Sequence, residues 1–244
     1  MKQNYFLAGA GLLLAVFSGF AEMASGLGTR WGWWHFITGF GILRWATICS
    51  LAAIVISLVA IFLVRAKAGH PGLVMAITGL LIGLLVAAIP FSWILTARSV
   101  PRIHDITTDT IDPPRYVAVM PLRTGAANPV EYGGPAIANM QHAAYPAVAP
   151  LMLPEPPDKA FDRAMTAVHK MGWSIVDGNS REGRIEATDT TFWFGFKDDI
   201  VVRIRPAEQG SRIDVRSLSR VGLSDIGTNA KRITAFLTVL KSVQ

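Results

Sequence analysis

The sequence carries a single cysteine, Cys49, in 244 residues. A disulfide within the chain is excluded, and cysteine usage assigns no redox compartment. Acidic residues are almost missing from the first 96 positions, where Glu22 stands alone against five Lys and Arg. Four of the six formal net positive charges therefore sit in a segment that is otherwise apolar. Basic residues flanking apolar runs read as membrane-topology signals and not as a nucleic-acid footprint, so no nucleic-acid partner is expected. Motifs for nucleophilic or phosphate chemistry are missing too. There is no Gly-x-Ser-x-Gly, no pair of His four apart and no Gly-rich loop before a Lys. His104, His142 and His169 are widely spaced, so neither a metal centre nor a cofactor is expected. Acid–base chemistry by Asp105, Asp109 or Asp225 stays open, because carboxylates converge in space and not in sequence.

What is present is hydrophobic length. Tyr5 to Ala21 runs 17 residues, Trp45 to Val64 runs 20 and Leu73 to Leu95 runs 23, all without Lys, Arg, Asp or Glu. A hydrocarbon core needs about 20 helical residues. The spacing predicts transmembrane helices over about 5–24, 43–64 and 72–96 within a membrane region 1–97. The first run also has the outline of a signal peptide. It reads as a retained helix, because its removal would leave an even number of spans. Arg65 and Lys67 in the short second connection, with Lys2 ahead of the first run, place that side in the cytoplasm by the positive-inside rule. Three spans then put the C-terminal part on the opposite, periplasmic side of a bacterial inner membrane. Arg98 and Arg102 pull mildly the other way. Trp31, Trp33, Trp34 and Trp45 suit the headgroup layer, and Gly79, Gly83 and Ala87 recur every fourth residue as a close-approach face. Glu22 is read as reaching the interface, with an intramembrane carboxylate as the alternative.

Beyond the spans, 98–157 is rich in Pro, Ala and Gly and is expected to wrap the soluble domain as irregular structure. Asp105, Asp109 and Asp112 would share a face of a helix, with His104 beside them, and could begin a cation site. The β-branched residues around them and Pro113-Pro114 favour turns instead. From 158 to 244 the pattern is an α+β core. Helices are expected at 158–171 and 228–243, with strands at 173–177, 184–188, 192–196, 200–205 and 212–217 between them. The fold class is an antiparallel sheet covered on one face by two helices, anchored by three N-terminal transmembrane helices. The other face of the last hairpin carries Arg203, Arg205, Arg212 and Arg216, expected to be solvated. The densest polar stretch is Ser217–Ile233, in which Arg220, Asp225, Asn229 and Arg232 crowd the turn into the last helix. A helix N-terminus attracts anions. Either an external anion or partner binds there, or Asp225 supplies the anion internally while Asn229 or Thr228 caps.

Taken together, Ile103-His-Asp-Ile-Thr-Thr-Asp109, Gln141 with Tyr145-Pro146, Gly172-Trp173, Arg184-Ile-Glu-Ala187, Gly195-Phe-Lys-Asp198 and the stretch Asp214 to Ile233 resemble the domain of unknown function 1499 family. The resemblance spans roughly residue 100 to the C-terminus, and its most specific part is the last stretch. Ala147 follows Tyr145-Pro146 where the family pattern usually has Asp. The resemblance implies a domain boundary and membrane-bound relatives with spans before the domain, and it implies no activity.

Function is expected to be non-enzymatic: an interaction or accessory module in contact with membrane lipid and with another envelope protein or component. The alternatives are an envelope hydrolase using aspartates of the soluble domain, and a binder of lipid-like molecules suggested by Phe192-Trp-Phe194.

Overall fold

The computed structural model describes residues 2–64 and 71–243. The basic connection at 65–70 lies outside the described residues. Two compact units are present, Met1–Thr96 with Phe192–Gly195, and Ala97–Thr191 with Phe196–Gln244.

In the first unit, α1 (Lys2–Arg30), α2 (Phe36–Val64) and α3 (Pro71–Ser99) are each 29 residues long. At ~1.5 Å per residue each exceeds the ~30 Å hydrocarbon thickness. All three are long and apolar enough to cross a membrane. Buried positions recur in steps of three and four: Ala8, Gly11, Ala15, Ser18, Glu22 and Ser25 on α1, then Gly39, Leu43, Ala46, Ser50, Ala53, Ser57, Ala60 and Val64 on α2. On α3 the same rhythm runs Gly72, Ala76, Gly79, Gly83, Val86 and Pro90. That is a 3.5-residue repeat, the period at which helices keep one seam in contact, and its residues are small enough to let backbones close up. A Cβ on Gly79 would lie 3.0 Å from Leu12 Cα, which shows how little room remains. Large apolar side chains such as Phe17, Phe20, Val55, Phe62, Leu81 and Leu85 point outward. Small and polar inside with large and apolar outside suits lipid as the solvent.

Phe192–Gly195 belongs to this unit, and it is a turn, not the strand expected at 192–196. Trp193 Nε1 donates to Met23 O at 3.2 Å, and its ring sits 5.1 Å from that of Trp93. Phe194 lies 5.0 Å from Phe40, and Arg30 donates to Phe192 O at 2.8 Å. Gly26 is required here, since a Cβ would overlap the Trp193 ring. Alternation of aromatics made the segment look like a strand; its partners are helices.

The second unit contains a six-stranded antiparallel sheet. Its strands are β1 (Asp105–Thr107), β2 (Leu151–Leu153), β3 (Ser174–Asn179), β4 (Arg184–Thr190), β5 (Lys197–Ala207) and β6 (Gly210–Ser219). The order is β1-β6-β5-β4-β3, and β2 shares the outer edge of β6 with β1. Helices α4 (Gly134–Ala144), α5 (Pro157–Met171) and α6 (Thr228–Ser242) complete it. Inward residues of α5 and α6, including Phe161, Val168, Ile233 and Phe236, bury against Ile185, Ile200, Val202, Ile213 and Val215. Each such side chain contributes roughly 1.5–3 kcal/mol when fully buried. Pro157 opens α5 and Gly172, at φ 72°, ends it in the left-handed conformation. The side chain of Gln141 on α4 serves β1 as a missing strand would, accepting from Thr107 N at 2.9 Å and donating to Thr107 O at 2.7 Å.

The opposite face of the sheet is largely covered. Residues 108–132 lie over it, with Tyr116 and Val119 packed on Val201 and Leu218. Arg203 and Arg216 are therefore buried, whereas Arg205 stays exposed.

Candidate functional site

Strand parity assigns the polar residues to two faces. Asp198 and Asp199 are consecutive on β5 and point to opposite sides, and each recruits a different arginine. On the helix side, Arg232 donates to Asp189 at 2.8 Å and to Asp198 at 2.6 Å. These two aspartates face one another across β4 and β5, so the guanidinium separates like charges. Asn229, fully buried, joins Ser217, His104 O and Ser219 at 2.7–3.0 Å. On the other side, Asp199 accepts from Arg123 at 2.6 Å, from Thr188 at 2.7 Å and from Arg220 at 2.7 and 2.9 Å. Burial alone would raise its pKa, but the hydrogen bonds from Arg220, Thr188 and Arg123 hold it below the usual carboxylate value.

The crowded turn of Ser217–Ile233 thus divides. Asp225, Asn229 and Arg232 stay near the start of α6, while Arg220 leaves for the covered face. Asp225 accepts from Gly227 N at 2.9 Å and Asn229 N at 2.8 Å, so it fills the anion position of the helix N-terminus itself. Its direct partners are backbone N–H groups and not an arginine. Desolvation by burial pushes its carboxyl up. Ile226 within the turn has φ 54°, a strained value for a β-branched residue.

His104, Asp105 and Asp109 do not form one cluster. His104 contributes its carbonyl to Ser219 N and Asn229. Asp105 binds Arg216 in a two-pronged pair at 2.9 and 2.7 Å, buried on both sides. Arg216 continues to Val130 O at 2.6 Å, with Tyr116 5.0 Å from its guanidinium carbon. Asp109 takes Arg203 at 3.1 Å and Arg212 at 2.9 Å. Asp112 takes Arg203 at 3.2 Å and Arg205 at 2.8 Å. The aspartates that could have begun a cation site are instead the rungs that fasten the covering segment to the arginine face. No group of three His, Cys, Asp or Glu is arranged for a metal ion among the described residues.

Where the cover ends, a cleft of about 340 Å³ opens between it and the sheet. Arg115, Arg184, Arg203 and Arg205 line it together with Asp112 and Glu182, over a floor that includes Pro114 and Val201. Arg184 is held by Asp177 at 3.0 Å and Glu182 at 3.0 Å, and also by Glu186. Glu186 is fully buried and accepts Val117 N and Val119 N at 2.8 and 2.9 Å. Arg115 is exposed and has no ion-pair partner among the described residues, although its charge, after the Arg205 hydrogen bond and Arg203, helps keep Asp112 below its usual value. Arg203 is 9% exposed, and its Nε has no hydrogen-bond partner among the described residues. The lining carries four guanidiniums against two carboxylates, but Arg184 and Arg203 are also paired with Asp177, Glu186, Asp109 and Asp214, so the charge left to attract an anion is that of Arg115, beside the exposed Arg205. Sequence reasoning missed this cleft. Arg203 and Arg205 were visible by parity, but Arg115 comes from the cover, and nothing local ties it to β5.

Three membrane-length helices followed by an antiparallel sheet with helices define a membrane-anchored α+β protein. Residues 105–240 match the family described as protein of unknown function (DUF1499), and the chain belongs to that family. Comparison with curated proteins finds no match.

Proposed function

We propose that this protein is a non-enzymatic binding module of the bacterial envelope, anchored in the inner membrane, whose cleft takes an anionic group of an envelope component. The observation that carries the reading is the exposed Arg115, without an ion-pair partner among the described residues, beside the exposed Arg205 at the cleft. Planar guanidinium groups match carboxylate or phosphate oxygens in paired geometry. The volume falls in the lower part of the usual range for small-ligand sites. A non-catalytic role is supported by the way the candidate acids are used. Asp105, Asp109 and Asp225 each spend both oxygens inside the fold. The lipid-binding alternative loses its motive, because Phe192 and Trp193 lie with the helices and not between sheet and α5–α6.

The test is titration of the full chain in detergent with inorganic phosphate and with citrate, following thermal unfolding. Either anion raises the midpoint of the native protein, and Arg115→Ala/Arg205→Ala removes the rise while leaving the unliganded midpoint within a few degrees. Equal shifts in both proteins refute the cleft. The periplasmic placement is tested by Glu208→Cys in a Cys49→Ser background. Glu208 is exposed at the β5–β6 turn, and a membrane-impermeant maleimide labels it in intact spheroplasts if the domain is periplasmic.

A further inference from the structure

Glu22 faces inward. It is 3% exposed, on the inner seam of α1, and neither carboxylate oxygen has a hydrogen-bond partner among the described residues. It lies eight residues before Arg30, about 12 Å along the helix at ~1.5 Å per residue. A buried carboxyl in such a place is costly unless something compensates it.

The surroundings offer acceptors. Ser18 and Ser25 sit one turn either side of Glu22, both fully buried. Their hydroxyls donate to Leu14 O at 2.7 Å and Glu22 O at 2.6 Å, so only lone pairs remain to face the seam. Gly11 beside Ser57 sets the antiparallel register of α1 and α2, and continuing it brings Ser50 level with Ser18. Ser50 also gives its proton away, to Thr47 O at 2.8 Å. On α3, Gly19 packs against Val86, and Pro90 lies one turn on, at the level of Glu22. Proline has no N–H, so the carbonyl of Val86 has lost its helical donor. Nearby indoles are committed as well: Trp193 Nε1 to Met23 O and Trp34 Nε1 to Ser25 O. Arg30 and Arg44 are exposed and off the seam.

We propose that Glu22, with the Val86 carbonyl and the seryl oxygens of this seam, is an intramembrane site for a monovalent alkali cation. Oxygen acceptors without donors select a cation. A single carboxylate in this stretch balances one positive charge and would leave a divalent ion half uncompensated in a medium of low dielectric. Trp193 is seated over Gly26, one turn beyond Glu22 on α1.

The experiment is thermal unfolding of the full chain in detergent at pH 8, in sodium chloride and in choline chloride of equal concentration. Sodium at ten times its Kd shifts the unfolding equilibrium about tenfold toward the folded state. Glu22→Gln removes the difference between the two salts, and Ser18→Ala, which deletes one oxygen, reduces it. If Glu22→Gln fails to fold, the native protein still decides. Sodium stabilisation that shrinks as pH falls shows sodium and protons competing for one carboxylate and supports the site. Identical midpoints in sodium and choline at every pH overturn it and leave Glu22 a protonated structural group. A sodium effect that persists unchanged in Glu22→Gln also overturns it.

Discussion

Asp105 and Arg216 show what single residues decide in the soluble unit. Their pair is buried on both sides and welds β1 to β6, while the same guanidinium holds Val130 of the cover. Asp105→Asn removes the charge but not the volume, leaving Arg216 uncompensated. The expected loss is on the order of 3–5 kcal/mol, read from chemical denaturation, with the double variant Asp105→Leu/Arg216→Met less damaging than either single change. Acid response separates two other carboxylates. Asp199 is held below its usual 3.8, so the stability it contributes is present above that value and is lost as pH falls through its lower folded value. Asp225 is raised by burial, so its contribution is full below 3.8 and fades as pH rises through its folded value. Asp225→Asn has no such titration. The midpoint of the variant minus that of the native chain therefore increases between pH 4 and pH 7, and a constant difference contradicts the assignment.

At the scale of elements, α5 and α6 were legible within a residue, because their apolar spacing and the Gly172 stop are local signals. The long hairpin β5–β6 was legible from alternation. Strands β1 and β2 were not, since three residues carry too little period to register, and both owe their form to β6. Helix α4 was hidden by its Gly-Pro opening and its Ala-rich composition, which carries no clear apolar spacing. Arginines on the outer face of the hairpin could be placed by parity, yet their fate could not. Apart from Asp214 on the hairpin itself, their carboxylate partners lie about a hundred positions upstream in a segment with no pattern of its own. The candidate turn was found in the sequence, but its grouping was not, because Arg220 and Arg232 diverge only once β6 twists into α6. The aromatic turn at 192–195 gives a test at this scale. Gly26→Val pushes Trp193 off α1, and cleavage of that turn by chymotrypsin rises severalfold relative to the native chain.

For the whole molecule, the two units draw cohesion from different sources. The soluble unit buries a conventional apolar layer on one side of its sheet and a network of ion pairs on the other. The helical unit cannot use hydrophobic burial against lipid, and it relies on close contact along a seam of small residues. Gly79→Leu drives a large side chain into Leu12 and Ser57. It is expected to lower the first unfolding transition in detergent, leaving the transition of the soluble unit within a degree or two. Loss of both together would mean that the units unfold as one.

Placement of Phe192–Gly195 among the helices has a consequence for biosynthesis. The last residue of α3 leaves the ribosome 93 residues before Phe192 does. At a synthesis rate of 5–20 residues per second that gap is roughly 5–20 s. Throughout it the three helices are inserted but short of one piece, with the groove beside Gly26 open to lipid or to the insertion machinery. The membrane part of this protein is finished by a turn of the chain that is made after the whole of the sheet's covering segment, and a nascent chain halted before residue 192 is left with that groove unfilled.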